Sequence, residues 1–313
     1  MGNVIVIVGP TASGKTKLSI ELAKKIDGEI ISADSMQVYK FMDIGTAKPS
    51  NREKQGIKHY LINEITPDVE FSVARFKDLS LKYIDKILGK GKTPIVVGGT
   101  GLYINSLIFN LDFSDTICDW ELRKKLTLEA QEKGNEYLHN KLRQIDPVAA
   151  DKIHKNNVKR VVRAIEVYNY TNKPISVHQE ESRKKPPKHN FILLGIRMDR
   201  QRLYKRINER VDLMLEKGLI SEVKSLVENG YDKNAIAMQG LGYKEILAYL
   251  RKELTLGEAV EILKRDTRRY AKRQITWFKR FQDIYWIDGD EYLNQDETFK
   301  KIKYYLASYG IFL

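Results

Sequence analysis

Eight residues, Gly9-Pro10-Thr11-Ala12-Ser13-Gly14-Lys15-Thr16, fit the pattern G-x-x-x-x-G-K-[ST]. Glycines let such a loop aim successive backbone N–H groups at phosphate oxygens. The helix N-terminus that follows adds positive potential. Lys15 can bridge the terminal phosphates of a ligand, and the Thr16 hydroxyl can ligate Mg²⁺. The pattern points to a phosphate chain and is silent on what carries it. Nucleotide-hydrolysing enzymes with this loop also need an acidic residue after a later apolar strand, to position the metal. Here Pro94–Val97 runs into Gly98-Gly99-Thr100 with no carboxylate, which counts against a motor or switch ATPase. An earlier apolar run does end in Asp34, within Ser32-Ala33-Asp34-Ser35-Met36-Gln37-Val38-Tyr39. That carboxylate suits a metal ligand, a general base or a plain helix N-cap.

These residues need a scaffold that brings loops together, and the chain's periodicity predicts one. Asn3–Gly9 is a short β-branched run ending in glycine, which reads as a buried parallel strand. Helical spacing follows at Leu18, Leu22 and Ile26. Further strands are predicted at Glu29–Ala33, Lys58–Ile65, Pro94–Val97 and Phe191–Met198, with a short candidate at Ile284–Ile287. Ser72 is placed to cap a helix running to about Leu88. Alternating strands and helices argue for an α/β fold with a parallel sheet wrapped by helices. Ligands in such sheets bind at the carboxyl ends of strands, where Thr11–Thr16, Asp34–Gln37 and Thr100 all fall. From about Asp112 to His189 the pattern is helical, with Val158, Val161, Val162 and Ile165 forming one apolar stripe. Arg183-Lys184-Lys185-Pro186-Pro187 reads as an exposed linker. The expected organisation is a core of residues 1–112 and 189–313 with a helical insertion at 113–188.

With 313 residues the chain has room for one large or two medium domains. Its net charge of +13 and pI near 9.4 are unusual for an enzyme of small neutral metabolites. A polyanionic partner such as nucleic acid explains the surplus; a generally basic proteome would also produce it. Cys118 is the only cysteine, which excludes an intramolecular disulfide and a cysteine-rich zinc site. The five histidines show no metal-ligand spacing. No segment has the unbroken apolar length of a membrane span, and Met1 leads straight into a strand-like run, so the expected compartment is the cytoplasm, with no membrane partner.

The motifs, taken in order, resemble those of the tRNA dimethylallyltransferases, or tRNA isopentenyltransferases. GPTASGKT is followed by ISADSMQVY at Ile31–Tyr39, DIGTAKP at Asp43–Pro49 and GGTGLY at Gly98–Tyr103. RVVRAIEVY at Arg160–Tyr168, GLGYKE at Gly240–Glu245 and AKRQITW at Ala271–Trp277 complete the series. The resemblance implies a P-loop NTPase-like fold and transfer of a dimethylallyl group from dimethylallyl diphosphate to N6 of adenosine 37 in tRNA. The glycine-lysine loop would then hold the diphosphate leaving group, with Mg²⁺ on Thr16, and no nucleotide would be hydrolysed.

The chemistry assigns roles within that expectation. Adenine N6 is a poor nucleophile because its lone pair is delocalised, so a carboxylate accepting its proton is worth about 10²–10⁴-fold, and Asp34 is the candidate. Gln37 can read the adenine edge, as amide side chains do. Negative charge gathering on the diphosphate calls for Lys15 and an arginine, for which Arg210 is the choice, one helical turn from Arg206. The resemblance marks Thr100, and with less weight Arg123, as contacts to substrate RNA. Asp34, Ser35, Met36 and Gln37 form an acceptor-binding segment.

Adenosine 37 must leave its stack to react, which calls for basic and aromatic surfaces. Lys159, Arg160 and Arg163 serve on the insertion. Lys272, Arg273 and Gln274 serve on a late, strongly basic helix, and the resemblance adds Gly242, Tyr243 and Lys244 in a glycine-flanked turn as RNA contacts. Trp277 and its neighbours Ile275 and Phe278 are more often core than stacking platforms. A monomer is expected. Three alternatives keep the loop: prenylation of free adenine nucleotides, as adenylate isopentenyltransferases perform, an ATP-using kinase, and an RNA-binding protein without transferase activity.

Overall fold

The computed structural model describes residues 2–111, 119–232, 235–289 and 295–313; Asp112 and Cys118 lie outside the described residues. Strands β1 (Asn3–Val8), β2 (Gly28–Ser32), β3 (His59–Tyr60), β4 (Thr93–Gly98), β5 (Asn190–Arg197) and β6 (Ile284–Asp288) form one sheet. Its order is β3-β2-β4-β1-β5-β6, and every pairing is parallel. Ile5 of β1 stands beside Ile95 of β4 and Ile192 of β5. Strands buried on both faces must be apolar throughout, which is why these segments read as runs rather than as alternations. Ile5, Ile7, Ile95, Ile192 and Leu194 pack with Leu18 and Leu22 of the helix Lys15–Lys25 into one core cluster. Each such side chain contributes about 1.5–3 kcal/mol by leaving water.

The third predicted strand, Lys58–Ile65, is shortened to two residues. Leu61 (φ 58°) and Asn63 (φ 57°) adopt left-handed conformations that break the extended ladder. The Ser72 cap holds: its side chain accepts from the Arg75 N–H at the start of the helix Val73–Leu88. A second cluster joins Val38 and Met42 to Val211, Val223, Tyr243, Ile246 and Leu263. It seats the helices Arg200–Glu216, Leu219–Glu228, Tyr243–Leu250 and Leu256–Phe278. No helix among the described residues is long and apolar enough to cross a membrane.

The chain divides into two compact units, residues 1–104 with 189–313, and residues 105–188. The division falls inside the helix Gly101–Ile108 rather than at 112/113. The smaller unit holds five further helices, Trp120–Lys133, Asn135–Ile145, Pro147–Lys152, Val158–Thr171 and Ile175–Lys184, and no strand among its described residues. Its core is Leu126, Leu138, Leu142, Val161, Val162 and Ile165, with Val158 packed against it. The predicted stripe therefore faces inward.

Candidate active site

Strand β1 delivers the Gly9–Thr16 loop to the N-terminus of the helix Lys15–Lys25. Gly14 (φ 96°) turns the chain into that helix, and no side chain caps its first amides, which leaves them for an anion. Ala12 (φ 63°) is also left-handed, a conformation that costs an L-residue about 1–2 kcal/mol. The buried Ser13 hydroxyl has no hydrogen-bond partner, an orphan that a phosphate oxygen would satisfy. Lys15 folds back so that its Nζ donates to the Pro10 carbonyl at 2.6 Å. Burial, and then the neighbouring Arg210 guanidinium, bring its amine down to about 7 against the opposing pull of Asp34.

Two cavities meet at this loop, sharing Lys15, Thr16, Pro49 and Arg210. The outer is a cleft of about 1670 Å³ walled by the loop, by Ser50–Gln55 and by the 202–217 face of the helix Arg200–Glu216. Ten lysines and arginines line it against four acidic residues, so its field favours a polyanion. The inner cavity, about 90 Å³, brings Lys15 and Thr16 together with Asp34, Gln37, Arg210, Tyr270 and Gln274. The sequence spreads these residues over 260 positions; the parallel sheet and the late helices gather them.

Each predicted residue has a defined place. Asp34 follows β2, where its Oδ1 accepts from the Met36 N–H at 2.9 Å and closes a tight turn; it caps no helix. Its second carboxylate oxygen is left for a ligand. Thr100 Oγ1 accepts from the Ser35 N–H at 3.3 Å, tying the turn after β4 to the Asp34 segment. The Gln37 amide accepts from the Ser32 hydroxyl (2.9 Å) and donates to the Thr46 carbonyl (3.3 Å). One N–H and one lone pair remain for a base edge. Arg210 is half-buried, with Nη2 3.5 Å from the Ala47 carbonyl, and burial lowers its pKa while Asp34 raises it.

Four predicted RNA contacts have partners within the protein. Tyr243 is fully buried, and its hydroxyl donates to Glu222 at 2.7 Å, so it is core. Gln274 is 5% exposed, with both ends of its amide on backbone groups. Arg123 forms a two-pronged pair with the fully buried Glu166 (2.9 and 3.0 Å), and Arg163 bonds the same carboxylate. Burial pushes Glu166 up, but the two guanidinium groups outweigh it and hold the carboxyl below its usual range. Both arginine side chains remain partly exposed, at 27% and 32%. Lys159 and Arg160 in that unit, and Lys244, Lys272 and Arg273 in the larger one, are exposed. Trp277 is half-buried and lies against Gly101, with the Arg280 guanidinium 5.7 Å from its ring centroid.

Sequence reasoning missed two contributors. Tyr270 lines the inner cavity, and burial with the nearby Asp34 charge pushes its phenol up to about 12, so it is a donor at neutral pH. Helical spacing from Gln274 (i, i+4) was the available signal. Glu222 was invisible. Its carboxylate accepts from the N–H groups of Asp43 (2.9 Å), Ile44 (2.7 Å) and Gly45 (3.1 Å), which shapes the Asp43–Pro49 loop beside Gln37 and Arg210. Glu222→Ala strands these donors and the Tyr243 hydroxyl. It is expected to cost about 2 kcal/mol, read as a lowered midpoint in urea, with Glu222→Gln milder because one acceptor oxygen survives.

A parallel sheet whose first strand feeds a glycine-lysine loop into a helix, beneath a cationic cleft, defines an α/β protein of P-loop NTPase-like fold. The sequence profile of the IPP transferase family matches residues 37–281, and the chain belongs to that family. It is 75% identical over 313 residues to the tRNA dimethylallyltransferase of Acetivibrio thermocellus, covering 100% of both chains. It is 56% identical over 296 residues to that of Alkaliphilus oremlandii, covering 92% of each. Among solved structures it is similar to the full-length tRNA isopentenylpyrophosphate transferase of Bacillus halodurans (TM-score 0.71, 42% identity, 96% of each chain). A eukaryotic dimethylallyltransferase acting on tRNA is also similar (TM-score 0.78, 35% identity, 92% of this chain and 74% of that one).

Proposed function

We propose that this chain transfers the dimethylallyl group of dimethylallyl diphosphate to N6 of adenosine 37 in tRNA, releasing diphosphate. One observation carries the reading: the inner cavity sets the Asp34 carboxylate against two cations, Lys15 of the phosphate loop and Arg210 of the helix Arg200–Glu216. A transferase of this kind needs both, a base at the nucleophile and positive charge at the leaving group. Asp34 accepts the N6 proton as the C–N bond forms. Lys15, Arg210 and the uncapped amides of the loop hold the charge that gathers on departing diphosphate, and being preorganised they cost no reorganisation at that moment. Gln37 orients the adenine with its spare N–H and lone pair.

The donor set also fits Mg²⁺. Thr16 offers a hard hydroxyl oxygen at the mouth of the cleft. No group of three or more His, Cys, Asp or Glu side chains gathers among the described residues. Such a site suits an ion held jointly by protein and substrate phosphates, as Mg²⁺ usually is. Bound there, it would further neutralise the diphosphate.

The acceptor separates this reading from prenylation of free nucleotides. An anticodon stem-loop with adenosine 37 is expected to gain one dimethylallyl mass far faster than AMP or adenosine. Its binding should weaken steeply with salt, by a log–log slope of about −0.7 to −0.9 per contacted phosphate. Removing the exposed charges Lys159 and Arg160 together should flatten that slope while donor binding stays unchanged. Equal use of AMP and stem-loop would transfer the proposal to a nucleotide prenyltransferase.

A further inference from the structure

The late helix Leu256–Phe278 does more than carry basic residues outward. At Gln274 it reaches into the sheet, where the amide spans two loops that follow different strands. Gln274 Oε1 accepts from the Thr11 N–H at 2.9 Å, inside the phosphate loop after β1. Gln274 Nε2 donates to the Gly99 carbonyl at 3.0 Å, in the turn after β4. A Cβ on Gly99 would come within 2.1 Å of that nitrogen, so the approach exists only because the position is glycine. One turn earlier, the Tyr270 hydroxyl faces both the Gln274 amide and the Thr100 hydroxyl. Thr100 in turn accepts from Ser35, next to Asp34.

We propose that Gln274 is a positioning residue: its amide pins the phosphate loop to the Gly98–Gly101 turn and so sets the diphosphate in line with Asp34. The chemistry is specific to an amide. The span needs an acceptor facing Thr11 and a donor facing Gly99 on one planar group, which glutamate, methionine and leucine lack. Unpinned, the first turn of the loop is free to rotate its amides away from the phosphate oxygens. A displacement of about 1 Å at a reacting group is enough to cost about 10²-fold. The inference rests on the donor-site reading above, though not on the identity of the acceptor.

Three variants separate the bonds. Gln274→Met keeps the volume and removes both. Gln274→Glu keeps the acceptor for Thr11, loses the donor for Gly99 and places a negative charge beside the diphosphate. Gln274→Ala removes the side chain. Inorganic diphosphate binding by calorimetry, single-turnover transfer, and amide exchange of the Thr11 peptide are measured on the full chain. Gln274→Met is expected to bind diphosphate at least tenfold more weakly, transfer at least tenfold more slowly and lose protection at Thr11, with stem-loop affinity within twofold of the parent. Gln274→Glu should bind diphosphate more weakly still. Unchanged diphosphate affinity and turnover in folded Gln274→Met would make the residue core filling and overturn the proposal. Loss of stem-loop affinity with diphosphate affinity intact would restore an RNA contact and overturn it equally. If the parent chain itself fails to bind diphosphate, the donor-site reading falls first and carries this inference with it. If all three variants unfold, Gln274 is a stability residue and the positioning role is rejected.

Discussion

Asp34→Asn is expected to bind the stem-loop nearly as well as the parent and to transfer the dimethylallyl group about 10²-fold or more slowly. Asparagine keeps the shape, and its carbonyl oxygen can still accept from the Met36 N–H, so the turn after β2 survives. What it cannot do is take the N6 proton, a role worth about 10²–10⁴-fold. The neighbours make this separation clean, because Thr100 and Gln37 hold the acceptor segment through their own bonds to Ser35, Ser32 and Thr46. Single-turnover rates with saturating donor read the step directly. A fall of less than about tenfold would remove Asp34 from the role of base. A collapse of RNA affinity would make it a binding or structural residue instead.

Lys15→Ala is expected to remove most activity from a protein that still folds, with a loss of roughly 10²-fold or more in turnover. The lysine packs against its own loop at Pro10, so its removal opens little core. Its titration adds a second signature. In the free enzyme the amine sits at about 7, lowered by burial and by Arg210. A bound diphosphate favours the ammonium form, so donor binding takes up a proton at pH above that value. Donor kcat/KM should therefore fall as pH rises above about 7, by up to tenfold per unit, since one pKa unit corresponds to about 1.4 kcal/mol. Lys15→Ala should lose this limb of the profile. Full turnover in the variant, or a parent profile flat from pH 6.5 to 9, would mean that the loop is not where the donor reacts.

The two arginines paired with Glu166 show where local reading stops. Arg123 and Arg163 stand on charged helices beside other basic residues, and sequence offers no means of telling a solvated guanidinium from a paired one. Glu166 pairs them because the helices Trp120–Lys133 and Val158–Thr171 pack side by side and exclude water from its carboxylate. An uncompensated buried charge would be far more costly than two guanidinium groups drawn inward.

What the sequence determined by itself was the set of parts with local causes. Apolar runs, two of them leading into glycine, gave five of the strands, Ser72 gave its helix start, and the spacing of Gly9, Gly14, Lys15 and Thr16 defined the phosphate loop. Those features follow from neighbouring residues, through backbone sterics, side-chain caps and burial on two faces of a parallel sheet. Tertiary structure alone decided which side chains meet. Gln274 lies 263 positions from Thr11, and Glu222 lies 179 from Asp43, yet each completes a loop whose own residues cannot satisfy its N–H groups. No local pattern encodes that demand. It arises when folding takes backbone amides out of water and leaves them to find an acceptor wherever the packing of the late helices puts one.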